Sequence, residues 1–394
     1  MRPLPKVLLV GGPDVDARLE LMRCLGAAVD VSAIGSHPTL HGKFSAEGFG
    51  YSAYRLSRQV NPISDLLTII QLVFIFRRLK PHIVHTFDTK PGVWGSLAAR
   101  WAGVPVVVGT LTGLGSLYAS DRLTTRFIRT IYQTLQKLAC HLSDLTVFQN
   151  RDDARQFIAD GVIPADRAMV IPGSGVSTDV FAPARVSDQE QAQLRSELGI
   201  RPDEAVVTMI SRVIRSKGVL EFMAAARAVR LACPSARFLL IGPADDESVD
   251  RLTATELTQL KRAVTWPGPR RDIPAVLAVS DIFVLPSAYR EGIPRVLLEA
   301  ASMELPVVTT DSPGCNDVVE DGVNGFLVPL RDAPALAGAI LRLIEQPELR
   351  RRFGQVSRQR AVERFDLSVV ADQTLSMYRQ LLAREALLPA TEAR

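Results

Sequence analysis

The sequence predicts an α/β protein built as two doubly wound, Rossmann-like domains with parallel sheets. Short continuous apolar runs recur along the chain, and such runs are typical of strands buried on both faces of a parallel sheet. Helical stretches separate these runs, and both halves show the same alternation. A chain of 394 residues, 47% hydrophobic and 22% charged, is also too long for one compact core.

Each half contains six predicted strands. In the first half they are KVLLVGG, VDVSAIG, HIVHTF, VPVVVGTL, DLTVFQN and MVIPGSG. In the second half they are AVVTMIS, RFLLIGP, VTWPG, DIFVLPS, LPVVTTD and GFLVPL. Helical patterns such as GVLEFMAAARAVRLA and PALAGAILRLIEQ lie between them. Because ligands of such sheets bind beyond the carboxyl ends of the strands, functional residues are expected in the loops that follow the strands.

The domain boundary is expected within residues 177–189, which are polar and contain Pro183. We therefore predict one Rossmann-like domain over residues 1–180 and a second over residues 188–364. A last helical segment, within residues 365–394, follows the second sheet without another strand.

Net charge and cysteine use narrow the classes of function. A formal net charge of +4 and a pI near 9.0 suit a polyanionic ligand or an anionic membrane face, but they do not indicate nucleic acid. The four cysteines form no C-x-x-C pair, which excludes a recognisable zinc site and indicates reduced thiols in a cytoplasmic protein. The first apolar run is too short for a signal peptide, and no run reaches the roughly 18 apolar residues that a membrane span needs.

The stretch SRVIRSKG, residues 211–218, places three cations directly after a buried strand. Arg212, Arg215 and Lys217 lie within six positions of each other, and Gly218 then opens a helix. A helix N-terminus with unpaired N–H groups binds anions, and fixed cations strengthen that binding. The pattern fits a diphosphate site at which the cations converge, and it fits a solvated surface loop equally well.

A second stretch, SAYREGIPRVLLEAASMELPVVTTD, carries two glutamates eight positions apart. Gly292 lets the backbone approach a ligand, and Pro294 suits the first turn of a helix. Glu291 is then expected in the loop before the helix, and Glu299 about one turn into it. Because carboxylates repel a phosphate, hydroxyl groups of a sugar or a ribose are their expected partners. Glu299 lies in the apolar run VLLEAA and needs a polar partner, since a buried unpaired carboxylate is costly.

These motifs occur together in one family. S-R-x₄-K-G, E-G-x-P-x₄-E-A and P-V-V-T-T-D-x-P-G resemble the retaining glycosyltransferases of family four, whose GT-B fold has two Rossmann-like domains facing an interdomain cleft. The stretches HTFDTKPGVWGSLAARWAGVPVVVGTLTGLG, VFQNRDDARQF, VIPGSGV and EGIPRVLLEA are similar to its bacterial branch that elongates undecaprenyl-diphosphate-linked oligosaccharides, often from UDP-N-acetylhexosamines. The resemblance covers nearly the whole chain. It implies an acceptor-side N-terminal domain, a nucleotide-sugar-binding C-terminal domain, and a last helix that crosses back to the first domain.

The resemblance implies a role for each matched donor-side residue. Arg212 and Lys217 would hold the donor diphosphate, Glu299 the ribose hydroxyls, and Glu291 the transferred sugar near its reacting carbon. The expected catalytic residues are Glu291, Arg212 and Lys217. The expected donor-binding residues are Gly11, Gly12, Arg212, Lys217, Arg270, Glu291, Gly292, Ile293, Arg295, Val296 and Glu299.

Three parts of this set have more specific expected positions. Gly11 and Gly12 would face the reacting carbon from the first domain, and residues 269–271 would frame the base. The backbone N–H groups of Arg295 and Val296, at the helix start, could face a phosphate.

The acceptor-side candidates are Asp88, Lys90, Thr112 and Gly113. Lys90 fits an acceptor diphosphate, and it fits a solvated loop charge equally. Many family members have a histidine in a T-x-H-G context where this chain has Thr112 in TLTGLG, so no imidazole base is assigned there. His85, alone at a strand end, is interpreted as structural.

The resemblance favours front-face attack, in which the leaving UDP phosphate takes the acceptor's proton. The motifs offer no carboxylate nucleophile for a double displacement. Positive charge and a helix N-terminus would stabilise the departing diphosphate without a metal, and RDD at residues 151–153 opens a helix instead of forming a D-x-D site. No metal and no cofactor is expected, because the UDP-sugar is a substrate.

Residues 61–82, NPISDLLTIIQLVFIFRRLKPH, form the most apolar region. The predicted helix carries apolar residues on most faces and ends in Arg77, Arg78 and Lys80. One interpretation is a helix that covers the sheet. The other is a helix partly exposed in the lipid interface with its basic end near anionic headgroups, where Arg122, Arg126 and Arg129 of the separate stretch DRLTTRFIRTIYQTLQKL could add to the same surface.

We therefore expect a retaining, metal-independent hexosyltransferase that moves a sugar, expected to be an N-acetylhexosamine, from a UDP-sugar to a lipid-linked undecaprenyl-diphosphate glycan. Its expected location is the cytoplasm, peripheral on the inner face of the cytoplasmic membrane. One alternative is a non-catalytic nucleotide-sugar-binding or scaffolding subunit of a membrane glycan complex. The other is a nucleotide-sugar 2-epimerase with the same fold.

Overall fold

The computed structural model describes residues 3–57, 61–113 and 123–387 and divides the chain into two compact units. Unit 1 comprises Met1–Ser174 and Leu367–Arg394, and unit 2 comprises Gly175–Asp366. The division precedes the predicted boundary region because Val176 already packs in the core of unit 2, where its N–H donates to the Phe365 carbonyl over 2.9 Å.

Unit 1 is built on a seven-stranded sheet in which every neighbouring pair is parallel. The spatial order is β3-β2-β1-β4-β5-β6-β7, so that the strand order reverses beside β1. The strands are β1 Lys6–Val10, β2 Asp30–Gly35, β3 Gly50–Ala53, β4 Ile83–Phe87, β5 Val106–Leu111, β6 Leu145–Phe148 and β7 Ala168–Val170. The helices are α1 Leu19–Leu25, α2 His41–Ala46, α3 Pro62–Leu79, α4 Thr89–Ala102, α5 Leu123–Leu142, α6 Arg151–Ala159 and α14 Leu367–Leu387.

Helices cover both faces of this sheet, which explains its continuous apolar strands. Along β1, Val7 and Leu9 pack in a cluster with residues of α1 and α14, whereas Leu8 and Val10 pack in a cluster with residues of α3 and α4. Successive strand residues point to opposite faces, so that a strand covered on both sides buries every side chain. This arrangement is the doubly wound architecture that the sequence predicts.

Strand β3 is the one strand of unit 1 that the sequence analysis missed. Its sequence, GYSA, contains no apolar run, and its residues are exposed or half-buried. It lies at the edge of the sheet and pairs only with β2 among the described strands. Edge strands lack a second neighbour and bury less surface, so an apolar run is not required there.

Helix α14 belongs to unit 1 although it follows unit 2 in the chain. Val370, Ala371, Leu375 and Tyr378 pack in the same cluster as the α1 residue Met22. Four buried side chains of this size remove a large apolar area from water. The last helix is therefore part of the unit 1 core.

Unit 2 contains a six-stranded parallel sheet in the order β10-β9-β8-β11-β12-β13. The strands are β8 Ala205–Ile210, β9 Ala236–Ile241, β10 Thr265–Gly268, β11 Ile282–Leu285, β12 Val307–Thr310 and β13 Gly325–Val328. The helices are α7 Asp188–Glu197, α8 Val219–Ala232, α9 Ala254–Ala263, α10 Ile273–Ala278, α11 Arg295–Ser302, α12 Ala333–Glu345 and α13 Pro347–Arg360. All six strands predicted for this half are present, and the predicted fold class of two doubly wound parallel-sheet domains is confirmed.

Candidate functional site

The loops after β8 and β11 form the predicted donor edge of unit 2. After β8, a short 3₁₀ turn over Arg215–Lys217 leads to Gly218, whose φ of +80° is in the left-handed region. A Cβ at this position would overlap the Pro286 carbonyl, which lies directly after β11. Only glycine allows the two loops to pack this closely.

That packing brings together two residues that are 74 positions apart in sequence. The ammonium group of Lys217 forms an ion pair with the Glu291 carboxylate, and both side chains are largely buried, at 15% and 13% exposure. Ser287 Oγ also donates to Glu291 Oε1 over 3.2 Å, and Lys217 Nζ lies 5.2 Å from the Tyr289 ring centre. The structure thus places two of the three expected catalytic residues in contact.

Glu299 lies on α11, where the sequence places it, with its side chain mostly buried. Its carboxylate accepts from Arg295 Nε over 3.0 Å, one helical turn away. The predicted need for a polar partner is met within the protein, by a cation instead of a ligand hydroxyl. Two other members of the expected donor set lie beside this pair: Ile293 is buried, and Val296 is half-buried in the first turn of α11.

The three cations after β8 contact three different carboxylates, and their convergence on a diphosphate stays a prediction. Arg212 Nη1 donates to Asp245 Oδ2 over 2.7 Å, whereas Arg215 forms a two-pronged ion pair with Glu256 at the start of α9. Of the three cations, Lys217 is the one paired with Glu291. Arg215 and Lys217 lie in the 3₁₀ turn and Arg212 precedes it, and each has a different carboxylate partner.

Arg270 is held by two carboxylates. It donates to both oxygens of Asp272, over 2.8 and 2.7 Å, and to Glu197 over 2.6 Å. These hydrogen bonds raise the pKa of Arg270 and lower that of Asp272. The guanidinium therefore anchors the loop after β10 to α7, and the expected contact of this loop with a base stays a prediction.

The loops at the carboxyl edge of the unit 1 sheet bring Gly12, Asp88 and Thr112 together. Thr112 Oγ1 donates to Asp88 Oδ1 over 2.8 Å, and a backbone hydrogen bond from Gly12 also reaches Asp88. Burial raises the pKa of Asp88, against the opposing effect of Arg18 and of these hydrogen bonds. Asp88 has a φ of +68°, a region that non-glycine residues seldom occupy and that is often found at functional sites.

The other glycines of the predicted set have structural contacts. The Gly11 N–H donates to the Ile34 carbonyl over 2.9 Å, and its own carbonyl accepts from the Tyr54 hydroxyl over 3.0 Å. Gly113 follows Thr112 with a φ of +127°. In unit 2, the Gly292 carbonyl is so close to Gly314 that a Cβ there would overlap it.

Lys90 is not a solvated loop charge, which corrects one sequence-based interpretation, whereas its contact with an acceptor diphosphate stays a prediction. Its Nζ donates to Asp65 Oδ1 over 3.0 Å and to the Ser57 carbonyl over 2.9 Å. Asp65 is 6% exposed, so the pair is largely withdrawn from solvent. Lys90 lies in the first turn of α4, and it ties that helix to α3.

His85 is buried in the unit 1 core, where both sides of its ring have hydrogen-bond partners. Its Nδ1 lies 2.7 Å from the Tyr378 hydroxyl and its Nε2 lies 2.6 Å from Thr110 Oγ1. Both ring nitrogens are therefore used inside the core, one of them by a residue of α14. Burial, with a smaller effect of Arg18, lowers the pKa of His85 to about 3, so the imidazole is neutral at physiological pH.

Sequence reasoning missed Arg18. Its guanidinium lies 4.5 Å from the Phe87 ring centre and donates to Ser174 Oγ. These residues line a small cavity at the carboxyl ends of the unit 1 strands, together with Gln149. A single arginine in a short polar helix matches no sequence motif for a binding site. Its position beside Phe87 and Ser174 depends on how the segments that follow β1, β4 and β7 pack together.

Comparisons with known proteins agree with this geometry. A family model described as glycosyl transferases group 1 matches residues 204–346, and a glycosyl transferase 4-like domain model matches residues 11–173. The chain is 30% identical, over 82% of its length and 81% of the relative, to the Escherichia coli UDP-Gal:alpha-D-GlcNAc-diphosphoundecaprenol alpha-1,3-galactosyltransferase. It is 28% identical, over 85% of its length and 87% of the relative, to the Campylobacter jejuni N,N'-diacetylbacillosaminyl-diphospho-undecaprenol alpha-1,3-N-acetylgalactosaminyltransferase.

Solved structures show the same fold. Anabaena HepE in complex with UDP has a TM-score of 0.78 at 21% identity, covering 95% of this chain and all of the other. Sucrose-phosphate synthase from Thermosynechococcus elongatus has a TM-score of 0.78 at 22% identity, covering 96% of this chain and all of the other. The predicted GT-B fold is confirmed.

Proposed function

Because the chain belongs to the glycosyl transferases of group 1, the retaining family-four enzymes with the GT-B fold, we propose that it moves a sugar from a UDP-sugar to a lipid-linked acceptor. The acceptor would be an undecaprenyl-diphosphate-linked glycan, the class named for two relatives. The transferred sugar would be an N-acetylhexosamine or the parent hexose.

The contact between Lys217 and Glu291 is the observation that carries this proposal. It places a cation and a carboxylate at the carboxyl edge of a parallel sheet, beside the start of α11. A diphosphate would replace Glu291 as the partner of Lys217, because the phosphate carries more charge. Glu291 would then accept hydrogen bonds from hydroxyls of the transferred sugar.

The same contact suggests how the leaving group is stabilised. As the bond to the sugar breaks, negative charge grows on the departing diphosphate, and a fixed ammonium group lowers the energy of that state. Arg212 and the first-turn amides of α11 would add to this field. The diphosphate oxygen would take the proton from the attacking hydroxyl on the same face of the sugar, which retains the configuration.

On the acceptor side, Asp88 is the proposed contact for the attacking glycan. It is positioned by Gly12 and Thr112 and lies at the carboxyl end of β4. A lipid-linked acceptor would also require the protein to work beside a membrane, so we propose a peripheral location at an anionic bilayer.

Transfer assays with purified protein test the proposal. UDP-Gal, UDP-GalNAc and UDP-GlcNAc are each incubated with a sugar-diphosphate-polyprenol acceptor, and the product is identified by mass and by the anomeric coupling constant. We expect one donor to give an α-linked product with release of UDP. Donor binding without transfer to any acceptor would favour the binding-subunit alternative, and conversion of UDP-GlcNAc to its 2-epimer without acceptor would favour the epimerase.

A further inference from the structure

Helix α3 has two apolar faces, and within the described part of the chain one of them packs in a hydrophobic cluster while the other is exposed. Thr68, Ile69, Leu72, Ile75 and Phe76 are buried, and the apolar members of this set pack in the cluster that covers β1. This face explains why the helix covers the sheet, as one sequence-based interpretation predicted. It does not explain the opposite face.

The opposite face is a ridge of large apolar side chains. Each is between 40% and 75% exposed in the structure. The residues are Ile63, Leu66, Leu67, Ile70 and Phe74. Their spacing of three, four and seven positions places all five within about 100° of the helix circumference. Single exposed apolar residues are common on soluble proteins, but a continuous ridge of this kind marks an interaction surface.

Positive charge borders one end of this α3 ridge. Arg77, Arg78 and Lys80 are exposed, and Arg77 donates to the carbonyl of Trp101, whose ring is itself 54% exposed. The single carboxylate of α3, Asp65, is buried and paired with Lys90. The helix therefore presents apolar side chains, an aromatic neighbour and cations to solvent, with no exposed negative charge of its own.

We propose that the α3 ridge seats the protein on an anionic bilayer. The helix lies along the headgroup layer, with its five apolar side chains inserted below and its basic end beside lipid phosphates. A bilayer fits better than a protein partner, because amphipathic helices with this combination of apolar ridge and cations bind lipid interfaces. No helix of the described part of the chain is long and apolar enough to cross the bilayer.

This inference deepens the proposed function, since a lipid-linked acceptor lies at the same surface. The ion pair between Lys90 and Asp65 is compatible with this inference. Lys90 neutralises the one carboxylate of α3, and neither charge lies in the ridge. The second basic segment considered in the sequence analysis, with Arg122, Arg126 and Arg129, has side chains that lie outside the described residues.

Vesicle flotation tests the inference directly. The wild-type protein is mixed with vesicles of phosphatidylethanolamine and phosphatidylglycerol, and with vesicles of phosphatidylcholine alone. The test variant carries Leu67→Gln, Ile70→Gln and Phe74→Gln. A matched control carries Leu231→Gln, Val249→Gln and Leu330→Gln, which removes exposed apolar side chains from unit 2.

We expect the wild type and the control to float with anionic vesicles, and the ridge variant to lose at least about 10-fold in the bound fraction. Substitution of Arg77 and Arg78 by Gln is expected to weaken binding to anionic vesicles and to steepen its loss with salt. Equal flotation of wild type and ridge variant would overturn the inference. So would a lipid-free dimer, measured by sedimentation, that the ridge substitutions dissociate.

Transfer assays separate this inference from the proposed function. The ridge variant should transfer sugar normally to a short-chain acceptor in detergent, and lose activity only with acceptor embedded in vesicles. Lys217→Ala should float like the wild type. If the protein floats through the ridge but transfers no sugar, the proposed function fails and the membrane surface stands.

Discussion

The carboxyl edges of the two sheets use polar residues in different ways. In unit 2, long charged side chains meet in exchangeable pairs, Lys217 with Glu291 and Arg295 with Glu299, on loops packed through glycine. In unit 1, the Asp88 carboxylate accepts from Thr112 and from the Gly12 backbone, and His85 is buried with both ring nitrogens hydrogen-bonded. In the proposed function, the first edge exchanges an internal ion-pair partner for the ligand, whereas the second edge offers a carboxylate that hydrogen bonds have already positioned.

This difference agrees with the chemistry proposed for each unit. A nucleotide diphosphate carries concentrated charge, so its site needs cations whose internal partners can be displaced. A glycan presents hydroxyl groups, which are held by positioned acceptors more than by net charge. The predictions below test the contrast, beginning with the largest expected effect.

Lys217→Ala should reduce turnover by about 10²–10³-fold, because it removes one preorganised charge from the leaving group. Steady-state release of UDP in the presence of acceptor measures the effect. Lys261→Ala, on helix α9, is the control and should leave turnover unchanged. Near wild-type turnover in Lys217→Ala would contradict a role for the Lys217–Glu291 pair in the mechanism. It would also contradict the proposed difference between the two sheet edges.

Gly314→Ala should destabilise unit 2 by about 2–4 kcal/mol, because its φ of +83° is unfavourable for alanine and a Cβ would overlap the Gly292 carbonyl. Since Gly292 follows Glu291, turnover should fall as well. Gly338→Ala, on the exposed side of α12 with open space around it, should instead stabilise by about 0.5–1 kcal/mol. Chemical denaturation measures both, and effects of the same sign would contradict the proposed role of close loop packing.

His85→Gln should destabilise unit 1 by about 1–2 kcal/mol at pH 7, since a buried hydrogen-bonded pair is disturbed. The wild type should also lose stability as the pH falls from about 6.5. In that range the unfolded imidazole takes up a proton, but the folded one, with its pKa lowered to about 3, does not.

Thermal melts between pH 7.5 and pH 4.5 test this pH dependence. The decrease in Tm on acidification should be smaller in His85→Gln than in the wild type. His37→Gln, at an exposed histidine, should leave the decrease unchanged. An unchanged decrease in His85→Gln would mean that folding does not lower the pKa of this histidine.

Asp88→Asn should have the smallest effect on stability, a slight gain at pH 7. Burial raises the pKa of Asp88, so its folded charged form costs stability as the pH rises above the unfolded pKa, and asparagine removes that cost. Asparagine also tolerates the positive φ and can still accept from Thr112. The gain should vanish near pH 3, and Asp166→Asn on the surface is the control. A loss at pH 7 would mean that the carboxylate charge is needed for folding.

Asp88→Asn also tests whether the unit 1 edge binds the acceptor and the unit 2 edge binds the donor. If Asp88 contacts the acceptor, Asp88→Asn should raise the KM for acceptor and leave the KM for the UDP-sugar unchanged. A change confined to the donor KM would contradict the proposed division between the two edges.

The sequence predicts the fold better than it predicts side-chain partners. Two doubly wound sheets follow from apolar runs, because burial on both faces leaves that pattern in the strands. Strand β3 could not be predicted in this way, because it is an edge strand with half-exposed residues and contains no apolar run. The residues Lys217 and Glu291 could be named from their motifs, although their direct contact depends on the loop packing around Gly218.

Partners from distant segments could not be inferred. Lys90 looks like a loop cation until α3 places Asp65 beside it, and Arg215 looks like a phosphate ligand until α9 presents Glu256. Arg18 gave no signal, because its neighbours Phe87 and Ser174 come from the ends of other strands. Ion pairs of this kind depend on tertiary placement, which local patterns do not encode.

The return of α14 to unit 1 has a consequence for the protein's synthesis. A ribosome makes the whole of unit 2 before it makes Leu367. The core of unit 1 therefore lacks α14, including Tyr378, until unit 2 has been synthesised. Until then, the apolar side chains of unit 1 that pack against α14 lack their partners. A chain that stops just before residue 367 would contain every proposed donor residue of unit 2, yet its unit 1 core would be incomplete.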